Sequence, residues 1–283
     1  MIIRILKSAL ALFVSFTFIS AIYHVNRAYT VSAAVSPLLG KVIVVDAGHG
    51  GYDSGTVGRT TGVLEKDLNL SVALKLRDIL SQNGASVIMT RDTDKALCPE
   101  NTKVGEKKQT DMAARAMIIE EANADIVLSI HMNDYAISKY HGAQVFYLEG
   151  SGNKSDGALL AGYIQSRLIN DLDPTNTRKI KAGDYYILRM KTASVLIECG
   201  FLSNKNDELL LQDDSYQSKL AWCIYSGVID YLNHSEIAVS SESLSISWNE
   251  FWRSSAFSAS PVRIWSDTVS TASAFLPKRA AFI

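Results

Sequence analysis

The sequence predicts an α/β fold: a single domain with a largely parallel, mixed sheet flanked by helices on both faces. Three observations support this. Short apolar runs alternate with helical stripes between residues 41 and 232. Runs such as 42–45 lack in-and-out alternation, as strands buried on both faces do. A chain of 283 residues, 47% apolar and 20% charged, has the size and composition to bury a substantial core. A formal net charge of -1 supplies no basic stripe, so nucleic acid is not an expected partner.

Residues 42–45 form the first expected strand, ending at Asp46-Ala47-Gly48. Leu68, Val72, Leu76, Ile79 and Leu80 share one helical face. That helix is expected to begin near Glu65 and stop at Asn83-Gly84, where glycine accepts the left-handed cap. Residues 87–89 give the next strand, and the polar stretch 98–111 reads as a loop. A helix over 112–122 and a strand over 125–130 follow. Next come a strand at 144–148 and a helix over about 157–169. Residues 185–188 and 195–198 read as strands, and 216–232 as the closing helix. Such alternation places helices on both sides of one sheet. No internal repeat is visible.

The two ends differ from this pattern. Arg4 and Lys7 precede an uncharged apolar stretch at 8–23, and Val31-Ser32-Ala33-Ala34 follows it. A basic start, an apolar centre and a small-residue site after Ala33 describe a secretory signal. Retention of the same segment would make it a membrane anchor. Either way the rest of the chain is expected outside the cytoplasmic membrane. Residues 235–283 are serine-rich yet hold Trp248, Trp252 and Trp265. The expected organisation is therefore an export segment (1–35), a globular domain (40–234) and a tail without assigned role (235–283). Cys98, Cys199 and Cys223 contain no C-x-x-C pair, so a thiolate zinc site is not expected. Cys199 and Cys223 read as buried hydrophobes, with a disulfide still open.

Chemistry concentrates at strand ends. In Asp46-Ala47-Gly48-His49-Gly50-Gly51 a histidine follows an apolar strand between glycines, where the backbone turns and an imidazole faces a cleft. The turn matches neither a P-loop nor a dinucleotide fingerprint. Taken alone, a histidine at position 49 is more often structural than a ligand. Glu65 opens a helix, where a carboxylate also complements the helix dipole. His131 again follows an apolar strand, and open α/β sheets place their sites beyond such ends. Two His and one Glu form a zinc set that leaves a position for water. Glu198 ends a buried strand, where a carboxylate needs a partner. General acid–base work is one account of it; a salt bridge to Arg91 or Arg189 is the other. His24 and His234 lie away from these strand ends. His141 precedes a strand and reads as surface or cleft mouth.

Taken together, these motifs are more specific. Asp46-Ala47-Gly48-His49-Gly50-Gly51, Glu65 before a helix, Ser129-Ile130-His131-Met132-Asn133 and Glu198-Cys199-Gly200-Phe201-Leu202-Ser203-Asn204 occur in order. Met89-Thr90-Arg91-Asp92-Thr93-Asp94 lies between them, as does Ala114-Arg115 before Asn123-Ala124-Asp125. The set resembles the N-acetylmuramoyl-L-alanine amidase family of the amidase 3 type, over about residues 41–232. The resemblance implies a zinc ion (Zn2+) held by His49, Glu65 and His131, with Glu198 catalytic. Arg91, Arg115 and Asn133 would position substrate or brace the site. Met132 stands where the family usually has Ala, which implies a bulkier cleft floor.

The resemblance further implies peptidoglycan as substrate, cut between the lactyl group of N-acetylmuramic acid and L-alanine. Within the family the chain resembles germination-specific members. That implies a role in muramic lactam formation in the spore cortex, and an activating partner protein in sporulation. The N-terminal segment would allow membrane association. The expected route is direct attack by water, Glu198 taking its proton and returning it to the alanine nitrogen. Two rivals stand beside it: a zinc peptidase acting within the stem peptide, and a non-catalytic wall-binding or regulatory protein with a vestigial metal site.

Overall fold

A computed structural model describes residues 15–17, 20, 36–150 and 154–254. The export segment expected over 1–35 lies outside the described residues apart from 15–17 and 20, as do residues 255–283 of the tail. Among the described residues no helix is long and apolar enough to cross a membrane.

Six strands form one sheet: β1 (Val42–Ala47), β2 (Ser86–Met89), β3 (Ile126–Asn133), β4 (Gln144–Tyr147), β5 (Lys181–Ala182) and β6 (Ala193–Phe201). Their order is β2-β1-β3-β6-β4-β5. β2, β1, β3 and β6 run parallel. β4 pairs antiparallel to β6 and parallel to β5, so the sheet is mixed as predicted.

The two-residue period of a strand sorts its side chains between two covers. On one face Ile43, Val45, Ile130, Met132, Val195, Ile197 and Cys199 enter the larger core. Helices α1 (Glu65–Gln82), α3 (Lys154–Arg167) and the first part of α5 (Asp214–Ser254), up to Leu232, cover it, and Leu68, Leu160 and Ile224 belong to the same core. On the other face Val44, Val127 and Leu196 pack beneath Ile119 of α2 (Lys107–Glu121) and beneath Ile187 and Leu188. That second cover stops short of the strand ends. Further along the same face come Asp46, Ser129, His131 and Glu198, all lining a cleft.

Several expected elements differ. Residues 185–188 are not a strand. Tyr186–Arg189 is a 3-10 turn whose Ile187 and Leu188 cap the smaller core. A four-residue apolar run carries no periodicity to tell the two apart. The loop expected over 98–111 ends early, because α2 starts at Lys107. Residues 205–211, left unassigned from the sequence, form helix α4 (Lys205–Leu211). Its N-cap Asn204 accepts from the backbone N–H of Asn206 and Asp207. α5 continues as helical backbone past Leu232 to Ser254. Met132 does not floor the cleft. As β3's next residue after His131 it points to the opposite face and is buried in the larger core.

Candidate active site

The β1 and β3 strand ends bring their histidines to one place. Gly48 N–H donates to Ile130 O at 3.0 Å, continuing the β1–β3 ladder to the turn. His49 then adopts φ 61, a left-handed conformation uncommon outside glycine. Its imidazole turns inward towards Glu65, the first residue of α1. Gly48 is required here because a Cβ would meet the His131 ring at 2.2 Å. Gly55, at φ 64, is required too, since a Cβ there would lie 2.6 Å from Glu65 Oε2.

Glu65 Oε1 lies 3.1 Å from His49 Nε2 and 3.0 Å from His131 Nδ1. The three ligand atoms all fall within 4.8 Å of one another. A tetrahedral zinc with bonds of about 2.1 Å has edges of about 3.4 Å. The two short separations sit close to that edge, and the donor set is that of an open zinc site. The residues therefore fit a divalent metal. Glu65 itself is 3% exposed and firmly held: Oε1 accepts from Met132 N–H and Asn69 Nδ2, and Oε2 from Thr56 N–H.

The electrostatics follow from this packing. Burial alone would raise the Glu65 carboxyl, but hydrogen bonds and charge from His131 and His49 hold it well below the usual carboxylate range. Burial pushes the His49 imidazolium down. Asp53 and Glu65 outweigh that and raise it to about 9. Asp53 Oδ2 accepts from His49 Nδ1 at 2.8 Å, which turns Nε2 towards the cluster. The hydrogen bond to His49 in turn lowers Asp53 to about 2. Asp53 was not singled out in the sequence; its only signal is a carboxylate four residues after His49.

Glu198 stands beside His131 in the β3–β6 register and lines the same cleft, of about 360 Å³. Its Oε2 is buried without a hydrogen-bond partner. Burial, reinforced by the Glu65 charge and opposed by His131 and His49, raises it to about 7. The proposed ion pair with Arg91 or Arg189 is not formed. Arg91 donates to the carbonyls of Ala47, Gly48, Lys66 and Thr93. Arg189 pairs with Asp184.

Arg91 and Arg115 brace the His49 turn from beneath. Arg115 donates to Asp46 Oδ1, Asp111 Oδ2, Ala47 O and His49 O. Burial lowers its affinity for the proton, and the two aspartates more than restore it. Asp46 also accepts from Thr90 and Ser129 hydroxyls. Burial opposes its charge, yet Arg115 and these hydroxyls hold it at about 2. Asn133 is elsewhere: it ends β3, its carbonyl accepts from Leu202 N–H, and it does not line the cleft. His141 lines a separate depression with Asp173 and Asp207, and the His234 ring packs against Tyr163. Cys98, Cys199 and Cys223 are free and buried, with no disulfide among them.

A strand-end cleft with two imidazoles and a carboxylate on one side and a neutral-range carboxyl on the other is a hydrolase arrangement. The family model described as N-acetylmuramoyl-L-alanine amidase (amidase 3) matches residues 43–230, and the chain belongs to that family. It is thus an enzyme, which decides against the non-catalytic reading. Among curated proteins it is 42% identical over 198 residues to the germination-specific N-acetylmuramoyl-L-alanine amidase of Bacillus subtilis, covering 69% of this chain and 81% of that protein. Among solved structures it is similar to the CwlD amidase from Clostridioides difficile, seen in complex with the GerS lipoprotein. That likeness has a TM-score of 0.66 and 42% identity, covering 68% of this chain and 98% of the other. An N-acetylmuramoyl-L-alanine amidase from Clostridium difficile 630 matches with a TM-score of 0.60 and 31% identity, over 68% of this chain and 97% of that one.

Proposed function

We propose that this amidase is zinc-dependent and cuts the amide between the lactyl group of N-acetylmuramic acid and L-alanine, in maturation of the spore cortex and in germination. The observation that carries the chemistry is the convergence of His49, Glu65 and His131 within 4.8 Å, beside the unpartnered Glu198 Oε2. In this reading those three side chains are the ligands and Glu198 is the catalytic residue. Bound zinc supplies Lewis-acid polarisation of the scissile carbonyl and makes a water acidic near neutral pH.

The chain's own groups do the rest. Asp53 holds the His49 tautomer, and Arg91 and Arg115 fix the carbonyls of the turn that carries it. Glu198, with a carboxyl near neutrality, takes the proton of the attacking water and delivers it to the leaving alanine nitrogen.

The spore role and an activating lipoprotein partner rest on the two germination-type relatives. Export through residues 1–35, a catalytic domain over 40–234 and an appended tail over 235–283 complete the reading. Mass spectrometry of digested muropeptides tests it, with metal content measured alongside. Intact stem peptides with free lactyl carboxyls and about one zinc per chain are expected. Fragments cut inside the stem peptide would establish the peptidase instead.

A further inference from the structure

Four residues of α2 face the cleft: Lys108, Asp111, Met112 and Arg115. Their spacing of i, i+3, i+4 and i+7 puts them on one side of the helix. Two of the three charged ones are already engaged. Arg115 is bound to Asp46, Asp111 and two carbonyls, and Asp111 also accepts from Leu97 N–H. Lys108 is exposed at the cleft mouth and, among the described residues, shows no hydrogen bond or ion pair.

Its position is unfavourable for the helix. The first turn of α2 holds Lys107 and Lys108 and no acidic residue, whereas helix starts favour negative charge. Lys107 is accounted for, since its ammonium lies 5.1 Å from the centre of the Tyr52 ring, which also lines the cleft. Tyr185 and Tyr186 also line the cleft and bring no charge of their own at neutral pH. Among these lining residues Lys108 is thus an exposed cation without a partner, beside aromatic rings.

We infer that Lys108 is a specificity-determining residue that binds a carboxylate of the substrate's peptide portion. This rests on the amidase reading, in which the scissile amide sits beside Glu198 in the cleft that Lys108 also lines. A peptide bearing free carboxylates presents the complementary charge within a few residues of that amide. Lys108 touches neither the proposed ligands nor Glu198, so its contribution belongs to binding and not to the chemical step.

The test compares muramoyl peptides of one length whose second residue carries either a free α-carboxylate or a carboxamide. The full zinc-loaded chain and its Lys108→Met and Lys108→Arg variants are assayed on both. The parent is expected to favour the free carboxylate by about fivefold through KM, with kcat unchanged. Lys108→Met removes that preference and Lys108→Arg restores most of it. Calorimetric titration of the released peptides into metal-free chain should show the same split. An unchanged free-to-amidated ratio in Lys108→Met, with the parent active, overturns the role of Lys108 alone. A parent chain that releases no peptide from either substrate refutes the amidase reading itself.

Discussion

Replacing Glu198 with glutamine separates stability from catalysis at this site. The carboxyl is raised from 4.5 to about 7, first by burial. A carboxyl raised in the folded state destabilises it progressively above the unfolded value, and the penalty saturates above the folded one. At pH 8 the gap corresponds to at most about 3 kcal/mol, and relaxation with water penetration reduces this to about 1–2 kcal/mol. Oε2 already lacks a partner, so a neutral amide adds no new unsatisfied group. Glu198→Gln in chelator should therefore melt roughly 3–6 °C higher than the parent at pH 8. The difference should nearly vanish near pH 4.5, where the side chain at position 198 is neutral in both folded proteins. With zinc, turnover should fall roughly 10²–10⁴-fold while bound metal is retained. Thermal scans from pH 4.5 to 8 and peptide release from muropeptides measure both. A melting temperature at pH 8 no higher than the parent's refutes the buried-charge argument, and near-parental turnover removes Glu198 from the mechanism.

Three other outcomes follow from the same geometry. Gly48→Ala places a methyl 2.2 Å from the His131 ring, so the variant should fold yet lose tight zinc binding, read by metal analysis after dialysis. Metal uptake should depend on pH, because His49 must shed the proton it holds up to about 9. Apparent affinity should rise about tenfold per pH unit between 6.5 and 8.5 from this group alone, and a flat profile in chelator competition would contradict it. Arg115→Met leaves Asp46 and Asp111 buried without their cation. It should cost about 3–5 kcal/mol in denaturant unfolding, whereas a loss under 1 kcal/mol would show that the pair is not buried in solution.

Much of the site was legible because its residues interrupt strong local signals. His49 and His131 break apolar strands at their ends, and Glu65 sits where the helical stripe starts, so each stood out as a candidate while only the set together was specific. Asp53 was not, because a loop aspartate has no periodicity and its role exists only once His49 turns towards α1. The Asn204 cap preceded α4 by a readable N-cap pattern, so that helix was available from sequence and overlooked. Residues 185–188 were different in kind: four apolar residues suit a strand or a 3-10 turn equally, and packing on Leu196 and Phe146 settles which.

The sequence alone determined the α/β class and most of the order of strands and helices, since these depend on local pattern, while the four side chains of the proposed site were named through the resemblance of their motifs to a family. Tertiary structure decided which face each strand residue takes, because continuous apolar runs hide the two-residue period. It therefore decided that Met132 enters the core while His131 enters the cleft. It also decided that Arg91 and Arg115 serve the His49 turn through carbonyl groups. Such bonds depend on where a distant backbone passes, and nothing in the local order of residues records that.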